Sequence, residues 1–216
     1  MRGMLGLTLM LAACGGNTFQ FPGTDTRQLF PFDGQRTWTY QSSDTTVPFL
    51  LEGELLPGSE TIDGRNVYTV NYFKDCQRDD PTCTDGDLLF ALRMSNVDPG
   101  GIYIHGYDPG DGNVDLDPPI VVLEDEARTQ DVLETTTAGV AFETEYLGQV
   151  LCGDLIVINT EWDCHGIEIR GEVDLFPVTG VVQAVSGQGI VNFAFSDTEE
   201  QWKLLSSTQD DADGVW

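Results

Sequence analysis

Alternation of apolar and polar residues, with a period of two, constrains the fold of this chain most strongly. It is clearest in segment 167–175, where apolar residues alternate with charged ones, and it recurs in segments 68–72 and 191–196. This period places successive side chains on opposite faces of a strand, one face buried and one in water. Segment 155–158 is apolar throughout and predicts a central strand, buried on both faces.

The remainder of the chain favours the same class of structure. No long stretch keeps the 3.6-residue apolar period of a helix, and segment 124–134 is the only place where a short helix is expected. Glycine-containing turns separate many of the strands, as tight hairpins require. We predict an all-β single domain of about a dozen antiparallel strands, either a sandwich or a curved open barrel. The further predicted strands are 37–41, 49–56, 88–95, 101–107, 120–124, 140–146, 181–185 and 202–207.

The N-terminus has the pattern of an export signal. Arg2 precedes a short apolar run that is well below the ~20 residues needed to span a bilayer as a helix. The run ends in Leu11-Ala12-Ala13-Cys14, which resembles the lipobox of bacterial lipoproteins. The resemblance implies cleavage before Cys14 and acylation of its sulfur. An ordinary secretory signal with an incidental cysteine is the alternative.

The same resemblance predicts where the protein resides. Lipoproteins retained at the inner membrane of double-membrane bacteria usually carry Asp after the cysteine, whereas this chain has Gly15. We therefore expect a lipid-anchored protein of the cell envelope, at the outer membrane where the cell has one. The expected organisation is a signal peptide (1–13), a lipidated cysteine with a flexible tether (14–28), a β domain (29–208) and an acidic tail (209–216).

A second resemblance starts at the beginning of the predicted β domain, and further echoes at Pro118-Pro119 and in segment 176–182 extend it over most of residues 30 to 208. Phe30-Pro31-Phe32, Gly34 and Trp38-Thr39-Tyr40 resemble the opening of secreted bacterial β-proteins of unassigned function, which begin with an aromatic-Pro-Leu segment followed by Trp-x-Tyr. Phe32 stands at the Leu position, and Gly34 comes one residue early. The resemblance implies an all-β fold and no particular activity.

The net charge limits the partners. The chain has 36 acidic and 10 basic residues, a formal charge of −26, and loss of Arg2 with the signal gives 9 − 36 = −27. This charge excludes a nucleic-acid binder, because phosphate recognition needs clustered Lys and Arg. It leaves the N-terminal lipid as the expected contact with the membrane. Salt or bound divalent cations are expected to relieve the self-repulsion.

Four cysteines remain once Cys14 is set aside. An even number in an exported domain predicts two disulfides, for which four cysteines allow three connectivities. The local pairs Cys76–Cys83 and Cys152–Cys164 are favoured. A four-cysteine zinc site is the competing interpretation, although the chain has no Cys-x-x-Cys motif.

Segment 107–117 has the highest density of candidate oxygen ligands. Ca2+ binds six to eight oxygens, and this segment supplies several around a glycine-containing bend. It departs from the EF-hand order, since Leu116 occupies the glycine position, and an ordinary polar hairpin explains the composition equally well. The candidate ligands of Ca2+, the only cofactor that the sequence suggests, are Asp108, Asp111, Asn113, Asp115 and Asp117.

The sequence has no recognisable catalytic motif. It lacks Gly-x-Ser-x-Gly, His-Glu-x-x-His and a phosphate-binding glycine loop, and both His105 and His165 are interpreted as structural. Carboxylate pairs such as Glu143 and Glu145 carry little information in so acidic a chain.

We therefore expect a membrane-anchored lipoprotein with a non-enzymatic binding or structural role, its partner an unknown envelope protein or ligand. One alternative is a hydrolase acting on envelope polysaccharide, which needs two carboxyls converging in a cleft beside an aromatic. Another is a carrier of apolar molecules, which needs a hollow lined by Tyr68, Phe193, Phe195 and similar residues.

Overall fold

A computed structural model describes residues 26–32, 34–43, 50–75, 87–97, 100–110, 112–152, 164–171, 180–194 and 201–210. It confirms the all-β prediction: the described residues form one four-residue helix and thirteen strands. The elements are α1 (Thr26–Leu29), β1 (Gln35–Ser42), β2 (Leu50–Leu55), β3 (Glu60–Ile62), β4 (Arg65–Asp75), β5 (Asp87–Val97), β6 (Gly101–Asp108), β7 (Val114–Glu124), β8 (Val132–Thr137), β9 (Val140–Val150), β10 (Cys164–Arg170), β11 (Gly180–Val185), β12 (Gly189–Ala194) and β13 (Gln201–Asp210).

The strands form a meander in which the first and last strands are neighbours. Every pair is antiparallel, and the order is β7-β6-β5-β4-β2-β1-β13-β12-β11-β10-β9-β8, with β3 added to β4. The pair β1–β13 therefore lies in the middle of the sheet, and β7 and β8 are its two ends. The sheet is nearly closed and barrel-like, which decides between the two predicted architectures in favour of the curved barrel.

The two ends of the sheet meet without pairing as strands. No backbone ladder joins β7 to β8 among the described residues, yet β7 contacts both β8 and β9. The Val121 N–H donates to Thr135 Oγ1 (3.3 Å), and Thr144 Oγ1 donates to the Val121 carbonyl (2.8 Å). Two inward-facing threonine hydroxyls thus take the place of ladder hydrogen bonds, and β7 lies against the inner side of β8 and β9.

Aromatic side chains fill the interior. The rings of Tyr72 and Phe90 stack with centroids 4.5 Å apart, and Tyr40 meets Phe193 edge-on at 5.1 Å. One continuous cluster of buried apolar residues draws on β1, β2, β4 to β7 and β9 to β13. Burial of this surface, at roughly 25 cal/mol per Å2, is the main force that closes the sheet.

Helix α1 extends across the interior. It contacts β5 and β6 on one side and β11 and β12 on the other. Thr26, Leu29 and Phe30 are buried, and Asn96 Nδ2 donates to the Phe30 carbonyl at 2.7 Å. The described residues thus include a buried helix just before Leu29, the expected first residue of the β domain.

The predicted helix in 124–134 is wrong. Asp125 and Glu126 form a turn, and β8 begins at Val132. Glu126 and Gln130 have φ values of 64° and 72°, which a right-handed helix does not allow. The predicted strand 155–158 and residues 173 and 175 of the alternating segment lie outside the described residues.

One of the two predicted disulfides is confirmed. Cys152 and Cys164 are bonded, with Cα atoms 5.1 Å apart, and the bond connects the end of β9 to the start of β10. Cys76 and Cys83 lie outside the described residues, so their pairing stays a prediction.

Candidate functional site

A cavity lies where the two ends of the sheet overlap. It has a volume of about 170 Å3, against about 20 Å3 for the cavity beside Trp38 and Tyr40 in the barrel interior. Its walls come from β7, the connection to β8, the first residues of β8, and β9. The lining residues of this seam cavity are Val122, Leu123, Glu124, Ala127, Asp131, Val132, Leu133, Thr144 and Tyr146.

The seam cavity combines apolar walls with acidic and hydroxyl groups. Glu124 and Asp131 contribute carboxylates and Thr144 and Tyr146 contribute hydroxyls, whereas no Lys, Arg or His is among the described residues that line it. The Asp131 carboxylate accepts a hydrogen bond from the Arg128 N–H at 2.6 Å. A guest with a cationic end and an apolar body complements these walls.

His165 supports the inner wall of the seam cavity. The Tyr146 hydroxyl is 2.6 Å from His165 Nδ1, and the two rings stack with 11° between their planes. His165 follows Cys164, so the disulfide fixes the strand that carries it. The contact holds the Tyr146 ring in place.

Strand β8 leaves one edge unpaired beside the seam cavity. The β8–β9 hairpin turns at Ala138 and Gly139, whose φ values of 50° and 82° are those of a two-residue type I′ turn. In such a hairpin the two residues that flank the turn, Thr137 and Val140, form two backbone hydrogen bonds with each other. Along the ladder, hydrogen-bonded pairs then alternate with pairs that are not hydrogen-bonded. The backbone groups of Val132, Glu134 and Thr136 therefore point away from β9, and β9 is the only strand that pairs with β8 in the described part of the chain. We call these groups the open edge.

An acidic surface borders the open edge. The outer face of β8, β9 and β10 carries four carboxylates and one guanidinium, that of Arg170. Arg170 binds Glu168 at 2.5 Å, Glu145 at 2.8 Å and also Glu143, and these hydrogen bonds raise the pKa of Arg170. Glu134 lies opposite Glu143 and has no ion pair among the described residues. The acidic face thus has an excess of negative charge, with Glu134 nearest the edge.

A second polar cluster lies on the outer side of β4, β5 and β6. His105 Nε2 is 2.8 Å from Ser95 Oγ, and both residues are buried. Burial, followed by the cations Arg65 and Arg93, lowers the pKa of His105, against a smaller raising effect of Asp63 and Glu60. Because Ser95 has no exposed surface, this Ser–His pair lacks the access that a nucleophile needs.

Arginine side chains cover that cluster. The Arg65 guanidinium lies 4.1 Å from the centre of the Tyr103 ring, and Arg93 pairs with Glu60 at 2.6 Å and with Asp115. The ion pairs of Arg93 therefore connect β5 to β3 through Glu60 and to β7 through Asp115.

The candidate Ca2+ ligands have local roles in the structure. Asp108 Oδ1 accepts hydrogen bonds from the N–H groups of Gly110 (2.8 Å) and Gly112 (3.0 Å), and Asp115 pairs with Arg93. Asp117 precedes Pro118 through a cis peptide bond, and both Asn113 and Asp117 are exposed.

Asp111 lies outside the described residues, and among those that the structure describes no three His, Cys, Asp or Glu side chains form a metal-binding group. Ca2+ binding at this loop stays a prediction.

Cys14 also lies outside the described residues, and its acylation stays a prediction. No helix in the described ranges is long and apolar enough to span a membrane.

Sequence reasoning missed the seam cavity and the open edge. The predicted helix includes Asp131, Glu124 is both the end of a predicted strand and the start of that helix, and nothing in the sequence singles out Ser95. The available signals were the Thr-rich segment 135–137, with two inward positions, and Pro118-Pro119, which lies within β7 and is unfavourable for strand pairing. No family model, curated protein or solved structure matches this chain, so its function has to be inferred from these residues themselves.

Proposed function

We propose that this protein is an envelope lipoprotein, anchored to the membrane by an acylated Cys14, whose β-barrel domain binds a partner without catalysing a reaction. The observation that carries the proposal is the Cys152–Cys164 disulfide in a domain preceded by Leu-Ala-Ala-Cys. A structural disulfide needs an oxidising compartment. The lipobox-like sequence provides the route to that compartment and the means of retention.

The polar side chains of the domain favour binding over catalysis. His105 and His165 are both engaged in hydrogen bonds, and Ser95 is buried. Glu143 and Glu145 lie on the outer face of the sheet and share Arg170, and so do not form the cleft that a glycoside hydrolase needs. Glu124 and Asp131 do line the seam cavity beside Tyr146, but both are exposed, and the cavity, about 170 Å3, is smaller than the roughly 300–1,000 Å3 of sites that enclose a small-molecule substrate.

Packing of the interior also weighs against the carrier alternative. Phe193 packs against Tyr40 and Tyr72, and Tyr68 stacks on Phe32 with ring centroids 5.2 Å apart. The interior cavity beside Phe32, Tyr40 and Tyr72, about 20 Å3, is the size of one or two water molecules. Phe195 lies outside the described residues.

Intact-mass analysis of the membrane fraction tests the anchor. We expect the wild-type chain to begin at Cys14 and to carry acyl chains, and Cys14→Ala to lose the lipid and leave the membrane. Gly15→Asp is the matched variant: it keeps the cysteine, and in a double-membrane host it should move the protein to the inner membrane. An unmodified thiol at position 14, or a retained Met1, would refute the proposal.

A further inference from the structure

We propose that the open edge of β8 receives an extended, basic segment of a partner protein as an added antiparallel or parallel strand, with one basic side chain of that segment entering the seam cavity. This inference deepens the binding role and rests on it in one respect only: the anchor places this face of the barrel outside the cytosol. The occupant is a polypeptide with two adjacent Lys or Arg residues flanked by apolar ones, because adjacent side chains of a strand point to opposite faces, one towards Glu134 and one towards the seam cavity.

The first argument is the hydrogen-bonding capacity of the open edge. Val132, Glu134 and Thr136 present three N–H and three carbonyl groups away from β9. Proteins usually protect such an edge with proline, a bulge or a covering element. The other end of the sheet has these features, because β7 contains Pro118 and Pro119 and both backbone groups of Val121 are satisfied by threonines. The edge of β8 has no proline and no bulge against β9.

The second argument is the side chains next to the open edge. Val132, Glu134 and Thr136 are exposed on the outer face, Val132 with 46% of its surface accessible. On an added strand, the side chain opposite Glu134 faces a carboxylate that no described cation neutralises. A Lys or Arg at that position and an apolar residue opposite Val132 form the favourable cross-strand pairs.

The third argument is the seam cavity. It is bounded by Asp131, Val132 and Leu133, at the beginning of β8, so a strand on the open edge passes its mouth. Its volume, about 170 Å3, is similar to a cavity of about 150 Å3 that admits benzene. The methylene groups of a Lys or Arg fit against Val122 and Leu133, and the charged end finds Glu124 and Asp131. Strand addition of this kind takes affinity from the main chain and specificity from such pockets.

Charge argues against a second copy of this chain as the occupant. The chain has a net charge of −26. Two β8 strands paired about a twofold axis at Glu134 would bring that residue opposite its own copy. Like charges directly opposite destabilise a strand pair.

Binding of three fluorescent hexapeptides to the full-length mature protein tests the proposal. The first is Val-Val-Lys-Lys-Val-Val (the Val/Lys peptide), the second is Val-Val-Glu-Glu-Val-Val, and the third is the Val/Lys peptide with every backbone amide N-methylated, which keeps the charge but removes the donors. We expect the first peptide to bind in anisotropy titrations and the other two to bind at least about tenfold more weakly.

Three variants and a matched control locate the site. Glu134→Lys reverses the unpaired charge, Thr136→Pro removes an edge N–H, and Glu124→Gln removes a carboxylate from the seam cavity. Each should weaken binding of the Val/Lys peptide, the first two by about tenfold or more. Glu52→Lys makes the same charge change at an exposed site on β2, both of whose edges are paired, and should leave binding within about twofold of wild type.

Three results would overturn the proposal. The first is that the Val/Lys peptide does not bind at a concentration of about 1 mM, because even a weak specific complex is detected at that concentration. Equal binding of the N-methylated peptide, or an equal loss in Glu52→Lys, would indicate nonspecific attraction. A dimer that forms without peptide and dissociates in Thr136→Pro would make a second copy the occupant. Acylation of Cys14 is measured separately, so failure of the anchor and failure of the edge site are distinguishable.

Discussion

The surroundings of His105 in the outer polar cluster disfavour its charged form. Its side chain is buried against Ser95, and the guanidinium groups of Arg65 and Arg93 act on it from β4 and β5. Burial and these two cations outweigh the carboxylates of Glu60 and Asp63, and the pKa of His105 is lowered from 6.5. The folded protein therefore binds fewer protons than the unfolded chain just below pH 6.5.

Stability should consequently fall as the pH drops below 6.5, by an amount specific to His105. We expect the free energy of unfolding of wild type, relative to His105→Gln, to be constant at high pH and to decrease on acidification towards about pH 5. The Gln amide keeps a hydrogen bond to Ser95 but does not ionise. Urea titrations of both proteins across this range provide the measurement, and parallel curves would contradict the assignment.

The sequence predicted a structural role for His105 but not its partner. Alternation places His105 with Tyr103 and Tyr107 along one strand, and that local pattern is visible without a structure. Ser95 becomes its partner through the register of β5 and β6, where a bulge falls between Arg93 and Met94. Register and bulges depend on which strands pair, and this information is not local.

At the level of elements, the closure of the barrel depends on threonine. Val121 is bonded through its N–H to Thr135 and through its carbonyl to Thr144, whereas the buried Oγ1 of Thr137, two residues along β8, has no hydrogen-bond partner in the described structure. A buried hydroxyl without a partner destabilises the fold, and one that satisfies a buried carbonyl stabilises it.

Two isosteric substitutions should therefore have opposite effects. Thr144→Val leaves the Val121 carbonyl without a partner and should lower the free energy of unfolding by about 1–3 kcal/mol. Thr137→Val removes an unsatisfied hydroxyl and should leave stability unchanged or raise it. Chemical denaturation monitored by tryptophan fluorescence measures both; equal losses in the two variants would mean that the overlap of β7 on β9 is not held by Thr144.

The Cys152–Cys164 disulfide, which connects β9 to β10, should also contribute to the free energy of unfolding. The two cysteines are 12 residues apart, and loop-closure entropy for a loop of this size corresponds to about 3 kcal/mol. We expect the free energy of unfolding of the Cys152→Ala/Cys164→Ala double variant to be lower by that amount, and its urea midpoint to fall accordingly. Cys76 and Cys83 are left unchanged as the internal control. An unaltered midpoint would indicate that the bond does not restrain the unfolded chain.

Strand identity was easier to predict than the connections between strands. Segments such as 167–170 and 68–72 alternate cleanly, and both are strands in the structure. The helix expected in 124–134 is instead a turn followed by β8, because the positive φ values there come from contacts such as the Gln130 N–H to the Tyr146 carbonyl (2.7 Å). That contact connects residues that become neighbours only after β8 and β9 pair.

For the whole molecule, net charge is the dominant electrostatic feature. A charge of −26 on one chain produces repulsion that acts over a Debye length of about 30 Å at 0.01 M salt and about 8 Å at 0.15 M. The thermal midpoint should therefore rise with NaCl, by about 2–4 °C for each kcal/mol of repulsion removed. Calorimetric scans across this range test the expectation, and a constant midpoint would contradict it.

A comparison of CaCl2 with NaCl separates the screening of charge repulsion from specific binding of Ca2+. At equal ionic strength, CaCl2 should raise the midpoint further than NaCl only where the ion is bound. If the loop with Asp108, Asn113, Asp115 and Asp117 is the site, Asp111→Ala should remove the additional rise and the heat of Ca2+ binding. A variant that responds like wild type would place any bound Ca2+ elsewhere.

Because β1 pairs with β13, the barrel can close only after the last strand of the chain has been synthesised. The ladder that unites the N-terminal strands β1 to β7 with the C-terminal strands β8 to β13 needs residues Gln35 to Ser42 and Trp202 to Asp210 at once. A ribosome-bound or half-translocated chain lacks the second partner and so cannot complete the barrel. The barrel thus cannot close before its last strand is delivered, a property that would suit the export proposed above.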